Sequence, residues 1–188
     1  PIEDALPVSM DLKQRKVLLN GALVLVLDRS GSMGERVDFA GITKQALANV
    51  SAIEAIATLD ERDYLGVVAF DSEPDWVVPL GLNAGRRAAI SQVRHIGPGG
   101  GTNIHPALNQ ALIALQNLPT GRAALRHIVL LTDGQSTPGD TFGIIQRLQN
   151  EKITVSTIGV GNDINAPLLQ TIAQETGGEF YPVTDLQT

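Results

Sequence analysis

Two hydrophobic periods alternate along this chain. Solid apolar runs at residues 22–28 (ALVLVLD), 64–70 (YLGVVAF), 125–132 (LRHIVLLT) and 153–159 (ITVSTIG) predict buried strands, each bounded by polar or turn residues. Residues 76–80 and 180–183 predict two shorter strands. Between the strands the apolar positions recur at helical spacing. The first helix is expected over 37–59, with Phe39, Ile42, Ala46, Ile53 and Ile56 inward and Ala40 and Leu47 widening the stripe. A modest helix with a basic surface is expected over 84–95. The clearest helix is expected over about 104–117, with Ile104, Leu108, Ala111, Leu112 and Leu115 on one face and Pro106 in its first turn. A short helix follows at 141–150. Asn162 or Asp163 can cap a last helix with Leu168, Leu169, Ile172 and Ala173 inward, ended by Gly177-Gly178.

Strand and helix in alternation call for a mostly parallel sheet with helices on both faces, an α/β fold. One link is too short for a parallel crossover. Only Asp71-Ser72-Glu73-Pro74-Asp75 separates the second strand from the third, so these two form a hairpin and the third is an antiparallel edge. Residues 1–20 lack a clean period and read as an extended lead-in, although Leu6, Val8 and Met10 alternate as an edge strand would. Residues 21–188 then form one domain. The chain begins at Pro1 without initiator Met, signal peptide or apolar span, which reads as a portion of something longer.

Composition narrows the function. A formal net charge of -6 argues against a nucleic-acid binder, which needs a basic face, and against direct docking on anionic lipid. With no cysteine there are no disulfides, thiolate metal sites or cysteine nucleophiles. His95, His105 and His127 are scattered, without the spacing of zinc ligands. Aromatics are only 4%, so aliphatic side chains and Ala must fill the core.

The chemistry gathers on three loops. The first strand ends in Asp28, followed by Ser30 and Ser32 at alternate positions. Gly97-Pro98-Gly99-Gly100-Gly101 leads to Thr102-Asn103, and the fourth strand ends in Asp133-Gly134. In an open α/β sheet, loops at strand carboxyl ends or helix starts converge on one rim. Two carboxylates and three hydroxyls suit Mg²⁺, with Mn²⁺ or Ca²⁺ as alternatives, and leave the ion electrophilic enough to take a further carboxylate from outside. Each piece has a plainer reading: Asp, Ser and Gly form turns, Thr102 can cap the following helix, and Asp133-Gly134 can be a simple turn. The glycines lack the Lys-Ser/Thr of a phosphate loop and read as freedom for the Thr102 loop to change shape. Asp71, Glu73 and Asp75 lack an EF-hand frame and read as a solvated turn.

Asp28-Arg29-Ser30-Gly31-Ser32, Gly101-Thr102-Asn103 and Thr132-Asp133-Gly134 resemble the metal-ion-dependent adhesion site (MIDAS) of von Willebrand factor type A (VWA) domains, over residues about 20–184. The resemblance implies a Rossmann-like, six-stranded, mostly parallel sheet of order 3-2-1-4-5-6. It implies that Ser30, Ser32 and Thr102 bind the metal directly and that Asp28 and Asp133 act directly or through water. Gly101, Asn103 and Gly134 would form the rim. It also implies a protein partner whose Asp or Glu completes the shell. The lead-in DALPVSMDLKQRK is similar in texture to the segment before this domain in large bacterial membrane proteins, which suggests a soluble domain of an anchored protein.

The binding module has a rival, a Mg²⁺-dependent phosphohydrolase using Asp28 as nucleophile. Against it, Ser30 is a poor general acid. Lys13, Lys16, Lys44 and Lys152 are also all expected away from the three loops, which leaves no cation to balance a phosphoryl group.

Overall fold

A computed structural model describes residues 20–37, 41–119 and 121–183. The expected lead-in, and Phe39 and Ala40 of the expected first helix, lie outside the described residues. The strands are β1 (Gly21–Asp28), β2 (Tyr64–Phe70), β3 (Pro74–Leu82), β4 (Leu125–Thr132), β5 (Thr154–Val160) and β6 (Phe180–Val183). The helices are α1 (Lys44–Thr58), α2 (Arg86–Arg94), α3 (Ile104–Gln116), α4 (Thr141–Asn150) and α5 (Ala166–Thr176). The sheet order is β3-β2-β1-β4-β5-β6, with every pairing parallel except the β2–β3 hairpin.

β1 is central, flanked by β2 and β4, and its alternation divides the interior in two. Ala22, Val24 and Val26 join the core covered by α3, α4 and α5; Leu25 and Leu27 join the core with Ala48, Ala52 and Ile56 of α1 and Ala89 and Val93 of α2. A strand buried on both faces needs the unbroken apolar run that the sequence shows. At the edge, Trp76 of β3 lies over Gly66, where a Cβ would come within 2.9 Å of its ring. The buried face of α3 is the one expected from its spacing, with Ala107 added.

The first helix corrects the sequence reading. It starts at Lys44, not 37, because the chain first turns back on itself. Gly41 has φ +86°, Val37 N–H donates to Ile42 O at 2.8 Å, and Arg36 bridges Thr43 in antiparallel fashion. Thr43 then caps the helix by accepting from Ala46 N–H. This late start rotates the inward face to Gln45, Ala48, Asn49, Ala52 and Ile56, leaving Ile42 and Ala46 exposed. The buried polar pair is bonded: Gln45 Nε2 donates to Asn49 Oδ1 at 2.9 Å, and Asn49 Nδ2 donates to Ile96 O beyond α2 at 2.9 Å. At α5 the cap is Asn165, which accepts from Leu168 N–H, not Asn162 or Asp163.

His127 on β4 sits against Thr154 Oγ1 at 2.6 Å, and burial lowers its pKa from the ordinary 6.5. The folded state thus favours neutral imidazole, so the unfolded chain takes up the proton first as pH falls below 6.5, and stability falls with it. The urea midpoint should drop between about pH 7 and about pH 5, and drop less in His127→Gln.

Candidate functional site

The carboxyl ends of β1 and β4 lie side by side, and there the three loops meet. Asp28 closes β1 and is fully buried. Its Oδ1 accepts from Ser30 N–H at 2.7 Å and its Oδ2 from Thr132 Oγ1 at 2.5 Å. Burial raises its pKa, opposed by those same donors, and nearby Asp133 raises it further. From sequence Thr132 is the last residue of a strand and part of the Thr132-Asp133-Gly134 segment, with no role of its own. Its hydroxyl in fact aims Asp28 and ties the first loop to β4.

The next turn is a short 3-10 helix, Gly31–Gly34, anchored by the fully buried Met33. It brings Ser30 Oγ and Ser32 Oγ to 3.1 Å, and Ser32 Oγ donates to Asp133 Oδ1 at 2.8 Å. Ser30 and Asp133 are each 2% exposed. A Cβ on Gly134 would stand 3.7 Å from Thr102 Oγ1 and 4.0 Å from Ser32 Oγ, so the third hydroxyl faces the same place. All five expected donors are thus brought together, with Gly134 between two of the loops. Among the described residues no three His, Cys, Asp or Glu side chains cluster, so the donor set is two carboxylates filled out by hydroxyls. Such a set fits a hard cation that keeps part of its water.

Thr102 is not spent on capping α3. The N-cap position is Asn103, and Ile104 N–H donates to Ser136 Oγ, from the loop after β4, at 3.0 Å. Thr137 N–H donates to Thr102 O at 3.1 Å, so the second and third loops are joined directly.

Of the glycines before Thr102, Gly100 and Gly101 have a packing role that the sequence did not suggest. Gly100 has φ +83°, and a Cβ there would meet Asp71 Cβ at 2.7 Å. Its carbonyl accepts from Gly31 N–H at 3.1 Å, and Gly99 N–H donates to Arg29 O at 2.6 Å. The β2–β3 turn closes over this loop: Asn103 N–H donates to Asp71 O at 2.8 Å, and Gly101 N–H to Ser72 Oγ at 3.3 Å. Arg29 completes the clamp with an ion pair to Asp71 Oδ2 at 3.0 Å. The acidic turn therefore braces the rim. Its sequence signal, a run of Asp, Ser and Glu, does not distinguish this from solvation.

Lys44 overturns the expectation that no lysine lies near the loops. Its Nζ donates to Asp133 Oδ2 at 2.9 Å and to Glu35 Oε2 at 2.7 Å. Burial works against its charge, but Glu35 and Asp133 outweigh that and raise its pKa. The residue reaches the site because α1 begins at it, directly after the bridge between Arg36 and Thr43. A helix starting at 37 would have placed it elsewhere.

The VWA family model, von Willebrand factor type A domain, matches residues 22–188. An uncharacterized protein of Synechocystis sp. is 31% identical over 182 residues, covering 94% of this chain and 40% of its own length. The structure of a von Willebrand factor type A protein from Catenulispora acidiphila superposes with TM-score 0.78 at 29% identity, covering 89% of this chain and 39% of that one. Proximal thread matrix protein 1 of mussel byssus, solved with a zinc-occupied MIDAS motif, shares the fold at TM-score 0.69 and 18% identity, with coverage of 89% and 44%. The chain thus spans well under half of each. Among the described residues no helix is long and apolar enough to cross a membrane.

Proposed function

This chain belongs to the von Willebrand factor type A family, and from that premise we propose that it is a metal-dependent protein-interaction module. Ser30, Ser32 and Thr102 would hold a divalent cation directly, and Asp28 and Asp133 directly or through water. The bound ion supplies an electrophilic position for an Asp or Glu carboxylate of a partner protein. Gly101, Asn103 and Gly134 line the approach.

One observation carries this reading. Two nearly inaccessible carboxylates, Asp28 and Asp133, stand behind three hydroxyls that face one spot, with Ser30, Ser32 and Asp133 already in a continuous hydrogen-bonded chain. Lys44 pairs with only one oxygen of Asp133, and the buried charge of Asp28 has hydrogen bonds alone to offset it, so a cation in the space the hydroxyls face would relieve both. The phosphohydrolase reading fits less well. Both Asp28 oxygens accept a hydrogen bond and the side chain is fully buried, so there is no room for the in-line approach of a phosphoryl group that a nucleophilic Asp28 would need. Lys44 removes the earlier objection about a missing cation, but it does not expose Asp28.

Calorimetric titration should find about one ion per chain for Mg²⁺, with Mn²⁺, Ca²⁺ and Zn²⁺ run alongside. Panning a library of peptides, each displaying a single Asp or Glu, should yield binders in Mg²⁺ that chelation releases. No heat with any of the four ions, or binders that survive chelation, would defeat the reading.

A further inference from the structure

Lys44 occupies an unusual position for a cation. It is the first residue of α1, where the helix dipole favours acids. It gains nothing from the helix there, and its side chain is only 12% exposed. Its ammonium is divided between two carboxylates of opposite character. Asp133 has a side chain that is 0% exposed and belongs to the proposed metal centre; Glu35 is 64% exposed and points to solvent. Backbone bonds fix the arrangement from both ends, since Lys44 N–H donates to Glu35 O at 3.0 Å and Glu35 N–H to Ser32 O at 2.9 Å. Gly161, at φ +95° just past β5, lies against the end of the lysine stem, 3.6 Å from its Cε and Nζ by the Cβ position. Backbone hydrogen bonds therefore tie Lys44 and Glu35 to the loop that carries Ser32.

Asp133 has two oxygens and two claimants: Ser32 holds Oδ1 and Lys44 holds Oδ2. A cation on Ser30, Ser32 and Thr102 would compete with the ammonium for the same carboxylate charge. We propose that Lys44 is a tethered competitor that sets how tightly this site holds its metal, with Glu35 the arm that draws the ammonium away from Asp133. The proposal rests on the metal-binding reading above. It gives the site two settings in charge terms. With Lys44 on Asp133, the donor set presents less negative charge, so an ion binds more weakly and stays more electrophilic toward an incoming carboxylate. With Lys44 drawn to Glu35, Asp133 is returned to the ion.

The two partners of the device should act in opposite directions, which a purely structural pin would not do. Mg²⁺ titrated calorimetrically into Lys44→Met and Lys44→Gln should bind about tenfold more tightly than to the wild type, because the like charge competing for Asp133 is gone. Lys44→Arg, which keeps the charge, should stay within about threefold of the wild type. Glu35→Gln should bind about threefold more weakly, since the ammonium then belongs to Asp133 alone. Melting in chelator reports the fold of each variant separately, and Lys44→Gln, neutral but polar, covers the case in which Lys44→Met is poorly folded. If the wild type binds Mg²⁺ and the neutral variants bind it equally or less well, Lys44 is only a pin between α1 and β4, and this inference fails while the metal centre stands. If the wild type binds none of Mg²⁺, Mn²⁺, Ca²⁺ or Zn²⁺, both fall together.

Discussion

Asp28→Ala and Asp28→Asn should each lower Mg²⁺ affinity by about a hundredfold or more, read by the same calorimetry. The two variants separate the roles of this carboxylate. Its charge balances the ion, and its two oxygens organise the loops by accepting from Ser30 N–H and Thr132 Oγ1. Asn keeps an acceptor for one of those donors and discards the charge. Ala discards both, and leaves two buried donors unsatisfied at a cost of about 1–3 kcal/mol each at most. Against that cost stands the release of a fully buried carboxylate whose pKa burial has already raised. In chelator, Asp28→Asn should therefore melt at or above the wild-type temperature, while Asp28→Ala melts near or slightly below it. Loss of metal binding together with retained or improved stability is the behaviour of a side chain kept for function at the expense of the fold. An Asp28→Asn protein that binds Mg²⁺ like the wild type would remove Asp28 from the centre. One that unfolds would make its charge structural.

The same balance explains what was legible beforehand. β2 and β4 are bounded in the structure as their apolar runs predict, because a strand buried on both faces carries its limits in its own residues. The five donors were legible for a related reason: each follows directly from where a strand ends or a helix begins, and parallel strands bring such ends together whatever lies between. What the sequence concealed was set by the folding back of one segment onto another. The inward face of α1 depends on the turn around Gly41, which has no hydrophobic period to announce it. Lys44 depends on that turn in its entirety, and so does its ion pair with Asp133. Thr132 and the Arg29–Asp71 clamp are cross-loop contacts between residues of ordinary turn and strand type. A glycine's reason is equally hidden, since close approach and conformational freedom look alike in sequence.

Gly178 shows the difference in energetic terms. Gly177-Gly178 reads from sequence as a helix stop, and Gly177 does serve as one, with φ +81° at the end of α5. An alanine there costs about 1–2 kcal/mol for the left-handed backbone alone. Gly178 has a separate obligation. A Cβ at that position would stand 2.1 Å from the carbonyl oxygen of Val155, 2.5 Å from its carbon and 2.9 Å from Ser156 N, all backbone of β5. No rotamer change can relieve contact with backbone. Gly178→Ala must push the chain off β5 just where Thr157 N–H bonds Glu179 O and where Thr176 Oγ1 accepts from Val155 N–H. Both the start of β6 and the anchor of α5 would loosen. We expect a loss of about 3 kcal/mol or more in urea unfolding, clearly beyond Gly177→Ala. β5 and β6 lie on the far side of β4 from β1, so folded Gly178→Ala protein should still bind Mg²⁺ within about threefold of the wild type. That is the reverse of Asp28→Asn, which should keep its stability and lose the metal. Equal destabilisation by the two glycine variants would mean that β6 adjusts freely, and that the close approach of Gly178 to β5 contributes nothing to holding the edge of the sheet.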